Sequence, residues 1–156
     1  MALEIEHKFL VNSSAYRSLA KPVLYRQGYL VVLSDKIVRV RTAGTKAYIT
    51  IKAKVSVLTR KEYEYEIPLA DAETMLNEMC MGPLIEKYRY KIFYEGFVWE
   101  VDEFLGDNNG LVVAEIEVKS ENQDFPIPLW VDTEVTGDPR YLNSNLSKKP
   151  FNTWNK

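Results

Sequence analysis

Apolar and charged residues alternate with a period of two along most of this chain, as in strands whose two faces meet different surroundings. In 3–10, Glu4, Glu6 and Lys8 share one face and Ile5, His7 and Phe9 the other. In 37–42, Arg39 and Arg41 oppose Val38 and Val40. In 46–55, Lys46, Tyr48, Thr50, Lys52 and Lys54 oppose Ala47, Ile49, Ile51, Ala53 and Val55. Stretch 60–67 sets Arg60, Glu62, Glu64 and Glu66 against Tyr63, Tyr65 and Ile67. Stretch 84–95 sets Lys87, Arg89 and Lys91 against Tyr88, Tyr90 and Ile92. Stretches 97–105 and 111–119 place Glu100 and Asp102, then Glu115, Glu117 and Lys119, opposite Trp99, Val101, Ala114, Ile116 and Val118. A further strand is predicted over 24–33, where Gly28 between Gln27 and Tyr29 marks a bulge or a close backbone approach.

Short breaks separate these stretches: Ser34-Asp35-Lys36, Ala43-Gly44-Thr45, Pro68, Glu95-Gly96 and the turn over 106–110. Connections this short favour an antiparallel meander of about eight strands. One helix is predicted over 71–81, with Asp71 as N-cap and Met75, Leu76, Met79 and Cys80 as its apolar stripe. Two shorter helices are expected, one in 12–21 capped by Ser13 or Ser14 and one around 139–146. The rest of the tail, rich in Pro and Asn, predicts no regular element.

Length and composition then narrow the class. A chain of 156 residues, 46% hydrophobic and 27% charged, fits one globular domain spanning residues 1–156. A net charge of −2 gives no overall basic field for nucleic acid or an anionic membrane. Neither a membrane-spanning run nor a leader is visible, so a cytoplasmic location is expected. A single cysteine, Cys80, rules out an internal disulfide and fits a reducing compartment. A single histidine, His7, excludes metal sites built from several histidines, and its place on the apolar face predicts packing.

The charged faces are sorted by strand. Arg39, Arg41, Lys52, Lys54, Lys87, Arg89 and Lys91 come from base-rich strands; Glu4, Glu6, Glu62, Glu64, Glu66, Glu100, Asp102, Glu115 and Glu117 come from acid-rich ones. Two readings follow. In a sandwich these faces are wet and the pattern reflects cross-strand charge pairs. In a closed barrel they line a polar lumen wide enough for one small ligand. Cations in such a lumen suit phosphates. Acids beside them make sense as holders of Mg²⁺ or Mn²⁺, which take oxygen ligands.

Glu4-Ile5-Glu6-His7-Lys8 resembles the Glu-x-Glu-x-Lys signature of the CYTH superfamily, the triphosphate tunnel metalloenzymes. Arg39-x-Arg41, Lys52, Glu62-x-Glu64, Lys87-x-Arg89, Asp102 and Glu115-x-Glu117 follow in the family's order, and Gln27-Gly28-Tyr29-Leu30 resembles a stretch of its compact bacterial members. The resemblance spans residues 3–146. It implies a mainly β (α+β) fold, an eight-stranded antiparallel closed barrel with a charged tunnel and a few flanking helices. It implies a small-molecule triphosphate substrate, hydrolysed with Mg²⁺ or Mn²⁺, with inorganic triphosphate favoured because the chain has little left to read a base or thiamine. By position, Lys8, Arg39, Arg41, Lys52, Lys87 and Arg89 would grip phosphates. Glu4, Glu6, Glu62, Glu64, Asp102, Glu115 and Glu117 would hold metal or orient its waters. Glu4, Glu6, Lys8 and Tyr29 are the catalytic candidates. Glu4 and Glu6 are expected to support a metal at the attacking water, and Glu115 and Glu117 the metal that bridges phosphates. The rivals are an adenylate cyclase, a nucleoside or thiamine triphosphatase, and a non-catalytic polyphosphate binder. A homodimer is expected to cover outer apolar faces, with no nucleic acid and no membrane among the partners.

Overall fold

The computed structural model describes residues 2–154. The strands are β1 (Leu3–Val11), β2 (Val23–Val32), β3 (Lys36–Ala43), β4 (Lys46–Lys54), β5 (Thr59–Ile67), β6 (Met81–Tyr94), β7 (Phe97–Phe104), β8 (Val112–Val118) and β9 (Val131–Glu134). Two α-helices accompany them, α1 (Leu69–Glu78) and α2 (Asn143–Lys148). The sheet order is β5-β4-β3-β2-β6-β7-β8-β1-β9, and β1 also pairs with β5. That pairing closes the first eight strands into an antiparallel barrel and removes the open edges a flat meander would leave. Closure is short. Leu3, Glu4 and Ile5 pair with β5, while the far end of β1 pairs with β9 instead.

The barrel is covered outside by apolar residues and plugged at one end. Outside β1, β6, β7 and β8, Phe9, Tyr90, Ile92, Trp99 and Ile116 pack with Tyr16, Phe125 and Trp130. Outside β3 and β4, Val40 and Ala47 pack against Ala72 and Leu76 of α1. A third cluster lies on the inward face. Ile85, Phe104 and Val113 share the parity of Lys87, Asp102 and Glu115, and they meet Tyr141 and Leu146. The polar lumen therefore ends in an apolar floor, which the segment entering α2 seals.

Several expected boundaries move. The stretch 12–21 holds a single 3-10 turn, Ala15–Ser18, with no side-chain cap from Ser14. Ser13 Oγ accepts a bond from the Ala15 amide at 3.4 Å instead. Helix α1 starts before Asp71, with Pro68 at its N-cap and Asp71 in its first turn. Met79 lies beyond its end and is exposed, not part of a buried stripe. The expected helix around 139–146 is a 3-10 turn, Pro139–Tyr141, followed by α2. Strand β9 was not foreseen. Gly28 does mark a close approach: a Cβ there would lie 2.6 Å from Cys80 Sγ and 2.8 Å from Leu84 Cδ2. The β2–β3 register also shifts just beyond it, between Tyr29 and Val31. Among the described residues, no helix is long and apolar enough to cross a membrane.

Candidate active site

Strand register brings the sorted charges together. Lys52 stands opposite Glu62, Arg89 opposite Asp102, and Lys8 opposite Glu115. All of them except Asp102, which is buried behind Arg89 and Lys87, line a cavity of about 640 Å³ inside the barrel. Glu4, Glu6, Lys8 and Lys52 also line a second cavity of about 410 Å³, on the side where β1 has parted from β5. The lumen is therefore one polar space with two approaches.

Each cation has its own partners. Lys52 Nζ lies 3.0 Å from Glu4 and 3.3 Å from Glu62. Arg39 Nη2 donates to Thr50 at 3.2 Å and lies 3.4 Å from Glu64, whose carboxylate also accepts from Thr50. Lys8 Nζ sits 3.6 Å from Glu115 and reaches the Tyr141 carbonyl at 3.4 Å. Arg89 grips Asp102 with two bonds of 2.7 and 2.8 Å, and touches Glu100 and Glu115. Lys87 Nζ is 2.8 Å from Asp102. Both Asp102 oxygens thus serve cations. Glu100 pairs with a tunnel cation as its face suggested. Lys91 stands only 4.0 Å from Glu100 and is largely exposed.

The acids fall into two groups. Glu6 and Glu115 share a hydrogen bond. Burial, then the charges of Glu115 and Glu4, raises Glu6 well above the usual carboxylate value. Burial opposes ionisation of Glu115 too, but Lys8, the Glu6 hydrogen bond and Arg89 hold it well below. Of the two, Glu6 therefore holds a proton more readily and Glu115 gives its proton up more readily. The second group is Glu4, Glu62 and Glu117, whose carboxylate oxygens come within 4.8 Å of one another. Burial raises Glu62, with Lys52 opposing and Glu4 adding to the rise, and burial raises Glu117, with the charges of Glu4 and Glu62 adding to it. Glu4 is also penalised by burial, yet Lys52 keeps it lowered and charged. Three crowded carboxylates share a single cation, Lys52, which pairs with Glu4 and Glu62, so the cluster carries more negative than positive charge. This oxygen-only donor set fits a hard divalent cation such as Mg²⁺ or Mn²⁺.

Strand β2 supplies residues that the charge pattern could not reveal. Its lumen face carries Tyr25, Gln27 and Tyr29, all buried and none of them an Asp, Glu, Lys or Arg. Gln27 Oε1 accepts from Arg41 Nε at 3.0 Å, and its Nε2 donates to Tyr29 Oη at 3.0 Å and Asn143 Oδ1 at 3.2 Å. Asn143, at the start of α2, also accepts from Lys87 Nζ at 2.9 Å. Tyr29 is a wall residue of the cavity, tied to Gln27. His7 lies outside, bonded to Glu134 at 2.7 Å and near the ring of Phe125.

The chain is similar to known proteins in sequence and in fold. The CYTH domain family matches residues 2–148. An inorganic triphosphatase of Acetivibrio thermocellus is 58% identical over 151 residues, covering 97% of both chains. An inorganic triphosphatase of Nitrosomonas europaea is 39% identical over 148 residues, 92% of this chain and 96% of that one. A solved inorganic triphosphatase crystal structure shares 36% identity at a TM-score of 0.67, covering 94% of this chain and 95% of its own. With that match over nearly its whole length, and with a closed barrel around sorted acids and bases, this chain belongs to the CYTH domain family.

Proposed function

We infer that this protein is a metal-dependent hydrolase that cleaves inorganic triphosphate to pyrophosphate and phosphate inside its barrel. The observation that carries the reading is one lumen holding both a set of cations for phosphates and an acid triad, joined through Lys52, in a chain 58% identical to an inorganic triphosphatase. Lys8, Arg39, Arg41, Lys52, Lys87 and Arg89 are assigned to the phosphate oxygens. Arg forks match those oxygens in pairs, and Lys adds point charge. Glu4, Glu62 and Glu117 would hold Mg²⁺ or Mn²⁺, which when bound supplies Lewis acidity to the phosphate oxygens.

The reaction breaks one phosphoanhydride P–O bond as water oxygen bonds to a terminal phosphorus. The water gives up a proton, and pyrophosphate leaves with the bridging oxygen. Charge gathers on that oxygen as the bond breaks, and preplaced lumen cations offset it. Glu4, kept ionised by Lys52, is assigned to receive the water's proton, with Glu6 beside it. Lys8 and Tyr29 are assigned to the wall that orients substrate. Glu64, Asp102 and Glu115 are assigned to fixing Arg39, Arg89, Lys87 and Lys8. The lone free thiol, Cys80, supports a cytoplasmic placement. The exposed Ile51, Tyr63 and Tyr65 on the outer face of β4 and β5 offer apolar area to a homodimer.

The test is phosphate release from inorganic triphosphate, run beside ATP, with Mg²⁺, Mn²⁺ or EDTA. Metal-dependent release from triphosphate and little from ATP is expected. Pyrophosphate and cyclic AMP from ATP would favour the cyclase instead. Tight triphosphate binding with no release from either substrate would favour a polyphosphate binder.

A further inference from the structure

Arg41 differs from the other lumen cations. Lys8, Arg39, Lys52, Lys87 and Arg89 each stand within ion-pair distance of a carboxylate. Among the described residues Arg41 forms no ion pair. Its partners are neutral. Its Nε donates to Gln27 Oε1 at 3.0 Å, and its guanidinium carbon lies 5.0 Å from the centre of the Tyr25 ring. The same ring carries the Arg89 guanidinium at 4.8 Å. Gln27 is fully buried and cannot turn over. Arg41 only donates, so Oε1 must face it, and Nε2 is held by Tyr29 and Asn143 on the other side.

We propose that Gln27 and Tyr25 are positioning residues that aim Arg41 at the substrate while leaving its positive charge un-neutralised. A carboxylate in place of Gln27 would orient the guanidinium equally well but cancel much of its field. A neutral amide fixes Nε alone, and the two Nη groups of Arg41, which lines the cavity, keep their fork for a phosphate. The Tyr25 ring adds a face for the cation without a formal charge. Neutrality is the functional property of the lumen face of β2. This inference rests on the triphosphatase reading for its substrate, but its own content is how Arg41 is held.

The experiment compares the wild type with Gln27→Leu, Gln27→Glu, Tyr25→Leu and Tyr25→Phe. Two readouts are taken: kcat and KM for inorganic triphosphate with Mg²⁺, and calorimetric binding of inorganic triphosphate in EDTA. Gln27→Leu is expected to raise KM about tenfold, the order of one hydrogen bond to a charged group, with a smaller effect on kcat. Gln27→Glu keeps volume and an oxygen for Arg41, yet is expected to weaken binding at least as much. Tyr25→Phe is expected to recover most of the affinity that Tyr25→Leu loses. A Gln27→Glu protein that binds like the wild type while Gln27→Leu does not would overturn the proposal, because geometry alone would then suffice. So would wild-type affinity in Gln27→Leu. If Gln27→Leu fails to fold, Gln27→Glu and the Tyr25 pair decide the matter. A wild type that binds triphosphate in this rank order but releases no phosphate would defeat the hydrolase reading and leave this inference standing.

Discussion

Asp102 and Glu117 are both lumen carboxylates, but their surroundings set them apart. Asp102 is buried, and Arg89 and Lys87 hold it ionised against the penalty of burial. Removing its charge leaves buried Lys87 without a carboxylate and takes from Arg89 the tightest of its three, a change that costs about 3–5 kcal/mol in comparable sites. Asp102→Asn is therefore expected to lower the urea midpoint sharply. Glu117 is exposed to the lumen, and burial plus the charges of Glu4 and Glu62 raise its pKa. Glu117→Gln relieves that crowding, so its thermal midpoint should be no lower than wild type while Mg²⁺-dependent phosphate release is lost. A stable Asp102→Asn protein that no longer responds to Mg²⁺ would return Asp102 to the metal set. Lys87 adds a proton-linked effect. Burial pushes it down to about 7, with Arg89 and Arg41 adding to the shift and Asp102 opposing it. A bound polyanion favours the charged amine, so triphosphate binding in EDTA should take up protons at pH 8 and far fewer at pH 6. Calorimetry in buffers of different ionisation enthalpy reads this directly, and a buffer-independent heat at pH 8 would refute it. The charged residues were legible because alternation put each on its face. Tyr25, Gln27 and Asn143 were not: neutral residues leave no charge signature, and their importance lies in whom they touch.

At the scale of elements, β2 is shaped by one residue without a side chain. Gly28 sits between Gln27 and Tyr29 and lets Cys80 and Leu84 close onto the strand. An added methyl meets both within 2.8 Å, so the strand or the α1–β6 connection must shift. Gly28→Ala is expected to cost about 1–3 kcal/mol, the usual range for overpacking, read from denaturant midpoints. Because the shift would move Gln27 as well, KM for triphosphate should rise with it; an unchanged midpoint would show that the site has slack. Strands β1 to β8 could be read from the sequence because each repeats its inward and outward pattern over several pairs. Strand β9 could not. It has four residues, of which only Val131 is buried, and it exists because β1 outruns β5 and leaves an edge to cover. The shift in α1 has a similar cause. Pro68, read as a stop for β5, is also the residue that opens the helix, since its fixed φ suits a helix start.

For the whole molecule, the charge pattern alone left sandwich and barrel both open, because either explains charged faces, and only the family resemblance implied the barrel. What decided it was closure through only three pairs of β1 with β5, too few to leave a mark on the pattern. Closure turns the charged faces inward, and the proton balance of the barrel follows. Glu6, Glu62 and Glu117 have folded pKa values above the ordinary 4.5. Their contribution to stability is present below that value and is lost as pH rises through the raised values. Glu4, Asp102 and Glu115 are lowered, so their contribution is present above the ordinary range and lost as pH falls through their depressed values. Metal-free protein should therefore lose thermal stability as pH rises through the raised values of Glu6, Glu62 and Glu117. A divalent cation reverses that loss, because it binds the ionised carboxylates. At a hundred times its dissociation constant it would add about 2.7 kcal/mol. Melting curves from pH 5 to 9 should then show an Mg²⁺ minus EDTA gap that widens with pH. A Glu62→Gln, Glu117→Gln double variant should flatten both the gap and the alkaline decline. A gap that stayed constant across the range would mean that the ion is held by groups already ionised at pH 5, and the acid triad would lose its claim to the metal.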